Sequence, residues 1–303
     1  MKKLLLIVNP TSGKKQASRY LSDIVGIFNR DGWDVTVYVT AEQGDAVRLV
    51  QERAVEFDRI VCAGGDGTFN ETVSGLRLSG QRVPVGYIPA GSTNDFATSL
   101  KLSKNLKNAA ADIVGGQPVP LDVGRFHDRH FSYIASFGIF TRTSYSTAQG
   151  LKNSLGHFAY LLSSIKEITS IRSYRLRFTL DDGQSYEDDY IFGAISNTTS
   201  LAGVLTLSPK LVDMSDGKFE IFLIRRPRTP LELSDCVLAL TAQDYETPML
   251  TLASSSRIEI DGQEEVHWSL DGEEAIGPQH FTVENLHHGI DILVNQGKKR
   301  LPR

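Results

Sequence analysis

The spacing of apolar residues follows one rule up to about residue 120 and another beyond it. Residues 4–8 are a continuous apolar run, the pattern of a strand covered on both faces. Leu21, Ile24, Val25 and Phe28 then recur at helical intervals. A second strand-like run at 35–39 precedes a second helical stripe of Val47, Leu49, Val50 and Ala54. The cycle repeats with a strand at 60–63, a helix carrying Val73 and Leu76, and a strand at 83–88. Strands alternating with helices predict parallel βαβ units.

After residue 120 the period shortens. Residues 125–138 read as a hairpin, and Leu151, Leu155, Phe158, Leu162, Ile165 and Ile168 mark an amphipathic helix. Short strands follow at 174–180, 186–196, 219–224, 257–260, 266–270, 281–283 and 290–294. Turn signals such as Asp181-Asp182-Gly183, Asp216-Gly217 and Asp261-Gly262 separate them. The expected fold is α/β plus all-β: an N-terminal three-layer α/β domain at 1–122 and a C-terminal antiparallel β-sandwich at 123–294. A tail at 295–303 can return to the first domain.

Composition narrows the class without naming the chemistry. With 303 residues, 41% hydrophobic and 22% charged, the chain can bury two cores as a soluble globular protein. A net charge of -4, from 32 basic and 36 acidic residues, provides no global field to recruit nucleic acid. Cys62 and Cys236 each lie in an apolar run and read as buried thiols of a reducing cytosol. No apolar run approaches the about 18 residues needed to cross a bilayer, and Asn9-Pro10 cuts the first run short of a signal peptide. The seven histidines show no zinc spacing, and His287-His288 reads as a surface pair.

The chemistry concentrates where strands end. In parallel sheets ligands bind at the carboxyl ends of strands, and the loops after the first, third and fourth strands are polar and rich in glycine or proline. The third is Gly64-Gly65-Asp66-Gly67-Thr68-Phe69-Asn70-Glu71, a glycine turn leading into a helix. Backbone amides at such a turn can face a phosphate, glycine admits its close approach, and Asp66 can hold a phosphate-bound Mg²⁺. G-D-G alone is equally a tight connection, but a plain helix cap needs one polar side chain, and here Asp66, Thr68, Asn70 and Glu71 cluster together. No Walker A loop and no G-x-S-x-G elbow occurs.

Asn9-Pro10-Thr11-Ser12-Gly13-Lys14 closes the first strand and Gly91-Ser92-Thr93-Asn94-Asp95 the fourth. Either serves as a turn and cap or as part of the same ligand edge, with Asp95 a second carboxylate for Mg²⁺. Leu270-Asp271-Gly272-Glu273-Glu274 is a hairpin turn whose Glu273 could act as a base toward an acceptor hydroxyl. Val212-Asp213-Met214-Ser215-Asp216-Gly217-Lys218 is a turn or an oxygen-ligand cation site.

In this order the segments resemble the diacylglycerol kinase catalytic family, specifically its soluble bacterial lipid kinases. The resemblance runs through N-P-T-S-G at 9–13, T-A-E-Q-G-D-A at 40–46, G-G-D-G-T-F-N-E at 64–71, N-D-F-A at 94–97, S-D-G at 215–217 and L-D-G-E at 270–273. It implies a nucleotide-binding α/β domain and a lipid-substrate β-sandwich domain, with ATP·Mg²⁺ in the cleft between them. The ATP-binding residues it implies are Asn9, Pro10, Thr11, Ser12, Gly13, Thr40, Gly65, Asp66, Gly67, Thr68, Phe69, Asn70, Glu71 and Ser92. Asp66 and Asp95 are implied to organise the Mg²⁺ on ATP, and Glu273 to take the proton of the lipid hydroxyl. Related sphingoid-base kinases use the aspartate of the glycine motif as the base, which leaves Asp66 as the other acceptor. A structural Mg²⁺ would use Asp216 and the carbonyls of Asp213 and Lys218.

Two positions depart from the family pattern. Ser92 stands where the family has threonine and keeps the hydroxyl, with Thr93 as the alternative donor. Asp213 stands where the family is commonly apolar, so its carboxylate can ligate as well as its carbonyl. The resemblance implies an ATP- and Mg²⁺-dependent kinase for diacylglycerol or a related glycerolipid, cytoplasmic and peripherally attached to the membrane. A homodimer is compatible with it. Two alternatives stand beside it: an NAD kinase-like nucleotide kinase, which shares G-G-D-G but not N-P-T-S-G or L-D-G-E, and a non-catalytic lipid-binding regulator.

Overall fold

In the computed structural model, residues 2–139, 171–201, 205–208 and 212–295 are described. The amphipathic helix expected over 151–168 lies outside them. The chain divides into two compact units, one comprising Met1–Val123 and Leu286–Pro302 and the other centred on Gly124–Asn285.

The first unit is built on β1 (Lys2–Val8), β2 (Trp33–Val39), β3 (Arg59–Gly64) and β4 (Val85–Pro89). Its helices are α1 (Gln16–Arg19), α2 (Leu21–Arg30), α3 (Asp45–Arg53), α4 (Asp66–Ser79), α5 (Asp95–Ser99) and α6 (Leu106–Val114). The strands are parallel in the order β4-β3-β1-β2, as the alternating pattern predicts. Alternation along β1 sorts the core. Leu4, Leu6 and Val8 pack with Ile24 and Phe28 of α2 and with Ala109, Ala110 and Ile113 of α6. Leu5 and Ile7 are fully buried as well, and α3 packs on α4, giving three layers. Gly80, at φ 67, ends α4 in the left-handed conformation that glycine adopts without strain.

The second unit contains β6 (Arg129–Phe131), β7 (Ile134–Gly138), β8 (Tyr174–Leu180), β9 (Ser185–Ser196), β10 (Ser200–Leu201), β11 (Leu205–Thr206), β12 (Phe219–Arg225), α7 (Pro230–Ala242), β13 (Leu250–Ser255), β14 (Arg257–Gly262), β15 (Val266–Leu270) and β16 (Glu273–Gly277). The chain leaves the first unit through β5 (Gln117–Phe126) and re-enters it through β17 (His280–Val294). Among the described residues every pairing inside the second unit is antiparallel, in the order β16-β15-β7-β9-β8-β14-β17, with β12 and β13 extending from β9. β9 is long enough to change partners, pairing with β8 over 185–190 and with β7 over 192–196. Aromatic rings fill the core: Trp268 lies 4.7 Å from Phe137 and 5.1 Å from Phe126, and Phe126 lies 4.6 Å from Phe281.

Several elements differ from the sequence expectation, which also named no helix at α6 and no strand at β13 or β16. The strands expected at 281–283 and 290–294 are one strand, β17, whose later part joins the parallel sheet through Ile292 and Val85. The second unit comprises Gly124–Asn285, and β17 continues past its end into the first unit. Helix α7 was not foreseen; Thr229 caps it by accepting the Glu232 N–H at 3.2 Å, and Pro230 occupies its first turn.

Candidate active site

Parallel register brings four loops to one edge of the first unit. Val8 pairs with Val39 and Ala63, and Gly64 pairs with Pro89, so β1 to β4 end at one level. The backbone seals this edge. Asn9 N donates to Ala63 O at 3.0 Å, Thr40 N to Val8 O at 3.0 Å, and Ala90 N to Gly64 O at 2.7 Å.

The loops touch through glycine. A Cβ on Gly13, at φ +52, would meet Ala90 O at 2.5 Å, and one on Gly91 would meet the Gly65 Cα at 2.6 Å. Only bare backbone fits here, so the three loops form one continuous rim. Asn9 ties the rim to α4: its Nδ2 donates to Thr68 Oγ1 at 2.9 Å, while its Oδ1 accepts from Thr11 N at 3.0 Å and Thr11 Oγ1 at 2.9 Å. Pro10, Thr11, Ser12 and Gly13 follow in the same loop, and Ser92 is exposed in the loop after β4. Thr40 is buried against β1. Gly65 precedes α4 in extended conformation, and no side chain among the described residues caps that helix start. Its first-turn amides, those of Asp66, Gly67 and Thr68, are suited to an anion.

Two carboxylates belong to this rim, and the charge of Asp66 acts on the ionisation of Asp95. Burial raises the Asp66 carboxyl above its ordinary range, although its Oδ2 accepts the Asp95 N–H at 3.0 Å. Burial, and then the charge of Asp66, pushes Asp95 up to about 6. Two acidic groups that resist ionising together are stabilised by a hard divalent cation, so the donor set fits Mg²⁺.

Not every residue of the glycine motif faces this rim. Phe69 is fully buried, stacked on Tyr87 at 4.6 Å and Phe96 at 4.7 Å, and it anchors α4 to the core. Asn70 is buried, with Ser74 Oγ donating to its Oδ1 at 3.4 Å. Glu71 accepts from Gly44 N at 2.9 Å and Ala46 N at 3.2 Å, so it caps α3. The motif thus combines ligand-facing backbone with scaffold side chains. Sequence reasoning had left Asn94 without a role. It stands at φ 54, with Oδ1 accepting from Gly91 N at 2.9 Å and Nδ2 donating to Gly91 O at 2.8 Å, and so sets the fourth loop.

The second unit carries the remaining candidates. Leu270 pairs with Glu273 across the β15–β16 hairpin, whose turn residues Asp271 and Gly272 have φ values of 50 and 91. The Asp271 carboxylate is buried and accepts the N–H groups of Ser132, Tyr133 and Ile134, the latter two at 3.0 Å. Asp271 thereby fixes the turn that precedes Glu273. Arg129 Nη2 lies 3.6 Å from Glu273 Oε2, while Arg129 Nη1 donates to Glu274 O at 2.6 Å.

At the other turn, Asp213 Oδ1 accepts from Ser215 N at 3.0 Å, Asp216 Oδ1 accepts from Lys218 N at 2.9 Å, and Lys218 O accepts from Asn285 Nδ2 at 3.0 Å. Sequence reasoning missed Glu220, on an inward position of β12 that apolar alternation cannot separate from its neighbours. Burial, followed by the charges of Asp216 and Asp213, pushes its carboxyl up to about 8, and its buried Oε2 has no hydrogen-bond partner among the described residues. An orphaned carboxylate oxygen influenced by two further carboxylates fits a divalent cation held at this turn.

Comparison with known proteins agrees over most of the chain. The family profile for the diacylglycerol kinase catalytic domain matches residues 3–126. A diacylglycerol kinase of Bacillus subtilis is 29% identical over 301 residues, 98% of this chain and 98% of that protein. One from Staphylococcus haemolyticus is 31% identical over 270 residues, 88% of this chain and 81% of that protein. The crystal structure of a diacylglycerol kinase from Bacillus anthracis matches with a TM-score of 0.73 at 26% identity, covering 98% of each chain.

Proposed function

The chain belongs to the diacylglycerol kinase catalytic family and is a lipid kinase; from that premise we propose that it uses ATP and Mg²⁺ to phosphorylate the hydroxyl of diacylglycerol or a related glycerolipid. The observation that carries this reading is the meeting of the amide-rich α4 start with the paired carboxylates Asp66 and Asp95 on one rim. Asn9–Gly13 and Gly65–Thr68 line the nucleotide phosphates, with Thr40 and Ser92 at the margins. Asp66 and Asp95 would hold the Mg²⁺, which would supply charge neutralisation for the phosphates.

Glu273 is the base in this proposal. Both oxygens of Asp66 have partners within the first unit, Oδ2 with Asp95 N and Oδ1 with the Tyr87 hydroxyl at 3.4 Å, which favours a metal-organising role. The lipid oxygen bonds to phosphorus as the bond to the ADP oxygen breaks, and the lipid proton passes to the Glu273 carboxylate. The structural Mg²⁺ of the second unit is assigned to Asp213, Asp216 and the Lys218 carbonyl. No helix among the described residues is long and apolar enough to cross a membrane. We place the enzyme in the cytoplasm, meeting its lipid as a peripheral enzyme.

A lipid-panel assay with ATP and product identification by mass spectrometry tests the substrate. NAD is included as a competing acceptor. Glu273→Gln and Asp66→Asn should each lower turnover by at least 100-fold, the usual scale for a general base. Wild-type-like lipid phosphorylation by both folded variants would overturn the residue roles, and phosphorylation of NAD in place of every lipid would overturn the substrate class.

A further inference from the structure

One further cluster of ligating side chains shares no residue with these groups. Successive residues of a regular strand point to opposite faces. In β17, however, His288 stands at φ 52, and its ring stacks on that of His287 with centroids 3.7 Å apart and an interplanar angle of 28°. The left-handed residue brings two neighbouring imidazoles together. Against them lies Asp122 of β5, its carboxylate fully buried, with Oδ1 3.1 Å from His287 Nδ1 and accepting the His288 N–H at 2.8 Å.

One ligating atom from each of Asp122, His287 and His288 lies within 4.8 Å of the others. The surrounding backbone is firmly placed. A Cβ on Gly289 would meet Val123 Cβ at 2.9 Å, so glycine lets β17 press against the residue after Asp122. Arg77 Nη1 donates to Gly289 O at 3.0 Å, and Arg82 Nε bonds Asp291 Oδ2 at 2.7 Å.

We propose that Asp122, His287 and His288 form a binding site for one divalent transition-metal ion of the zinc class. Zinc–nitrogen distances of about 2.05 Å at a tetrahedral angle place ligands roughly 3.4 Å apart. The Asp122–His287 spacing of 3.1 Å nearly meets that value, and a turn of the His288 ring supplies the third ligand. The half-exposed His287 leaves the fourth position to water. Two imidazoles and one carboxylate select zinc, cobalt or nickel over Mg²⁺ or Ca²⁺, which take oxygen sets. Such an ion would join β5 to β17, the strands by which the chain leaves and re-enters the first unit. This inference is independent of the kinase assignment.

The test is calorimetric titration of the full, chelator-stripped chain with zinc chloride, with excess Mg²⁺ present to occupy oxygen-ligand sites. Wild type should bind one zinc ion, and cobalt should give the visible absorption of a tetrahedral site. His287→Gln and His288→Asn, the latter tolerant of positive φ, should each weaken zinc binding at least tenfold and abolish the cobalt spectrum. Circular dichroism checks that each remains folded. Absence of zinc binding in wild type, or unchanged binding and spectrum in both variants, would overturn the proposal.

Discussion

Asp271→Asn is the sharpest test of how the turn bearing Glu273 is held. The side chain is 5% exposed, and its two oxygens accept three backbone N–H groups, from Ser132, Tyr133 and Ile134. Asparagine has the same shape and tolerates the φ of 50, so backbone strain is unchanged. One of its two terminal groups, however, is a donor. Whichever way the amide turns, at least one buried N–H then faces another N–H, at a cost of about 1–3 kcal/mol. The retained hydrogen bonds lose charge assistance, about 1 kcal/mol each. The sum is about 3–5 kcal/mol, a large part of the roughly 5–15 kcal/mol that holds a typical domain. Urea unfolding monitored by Trp268 fluorescence, in a Trp33→Phe background, reads this unit alone, because Trp268 lies in β15 of the same core. The midpoint should fall with an unchanged slope. Turnover should fall with it, through displacement of Glu273, while the ATP KM stays constant. A stability within about 0.5 kcal/mol of the parent would refute the anchoring role, since that is the range of a neutral surface substitution.

Three further outcomes follow from the first unit. Gly91→Ala places a methyl group 2.6 Å from the Gly65 Cα and should weaken binding of a non-hydrolysable ATP analogue at least tenfold, about 1.4 kcal/mol by calorimetry. Glu71→Gln removes a charge from the amides at the start of α3 and should cost about 1–2 kcal/mol in chemical denaturation, with nucleotide affinity little changed. Asp95 holds its proton to about 6 in the fold but only to 3.8 when unfolded, so the native state binds the extra proton between those values. Metal-free stability should therefore fall as pH rises through that window and level off above it. Asp95→Asn should remove this loss, at most about 3 kcal/mol, in thermal melts with chelator present.

Much of the first unit was legible because its signals are local. The run at 4–8, the glycine string at 64–71 and the loop at 91–95 each declare a strand end or helix start within a few residues. The second unit was less legible. Helix α7 escaped notice because Leu231 and Leu238 are 71% and 66% exposed, which blurs the apolar stripe left by Leu233, Cys236 and Leu240. β17 read as two strands because the polar stretch around Asn285, His287 and His288 looks like a turn, whereas it is where the strand passes between units.

The sequence by itself determined the parallel strands of the first unit, which loops carry glycine and carboxylates, and which family motifs occur in order. Those properties depend on neighbours a few residues apart, where periodicity and backbone preference act. Tertiary structure alone decided what each polar side chain does. Glu71 turns to the amides of Gly44 and Ala46, Asp271 reaches back 139 residues to Ser132, and Asp122 meets a histidine 165 residues later. A buried carboxylate needs donors, but its own sequence does not say which; strand register brings them within hydrogen-bond distance.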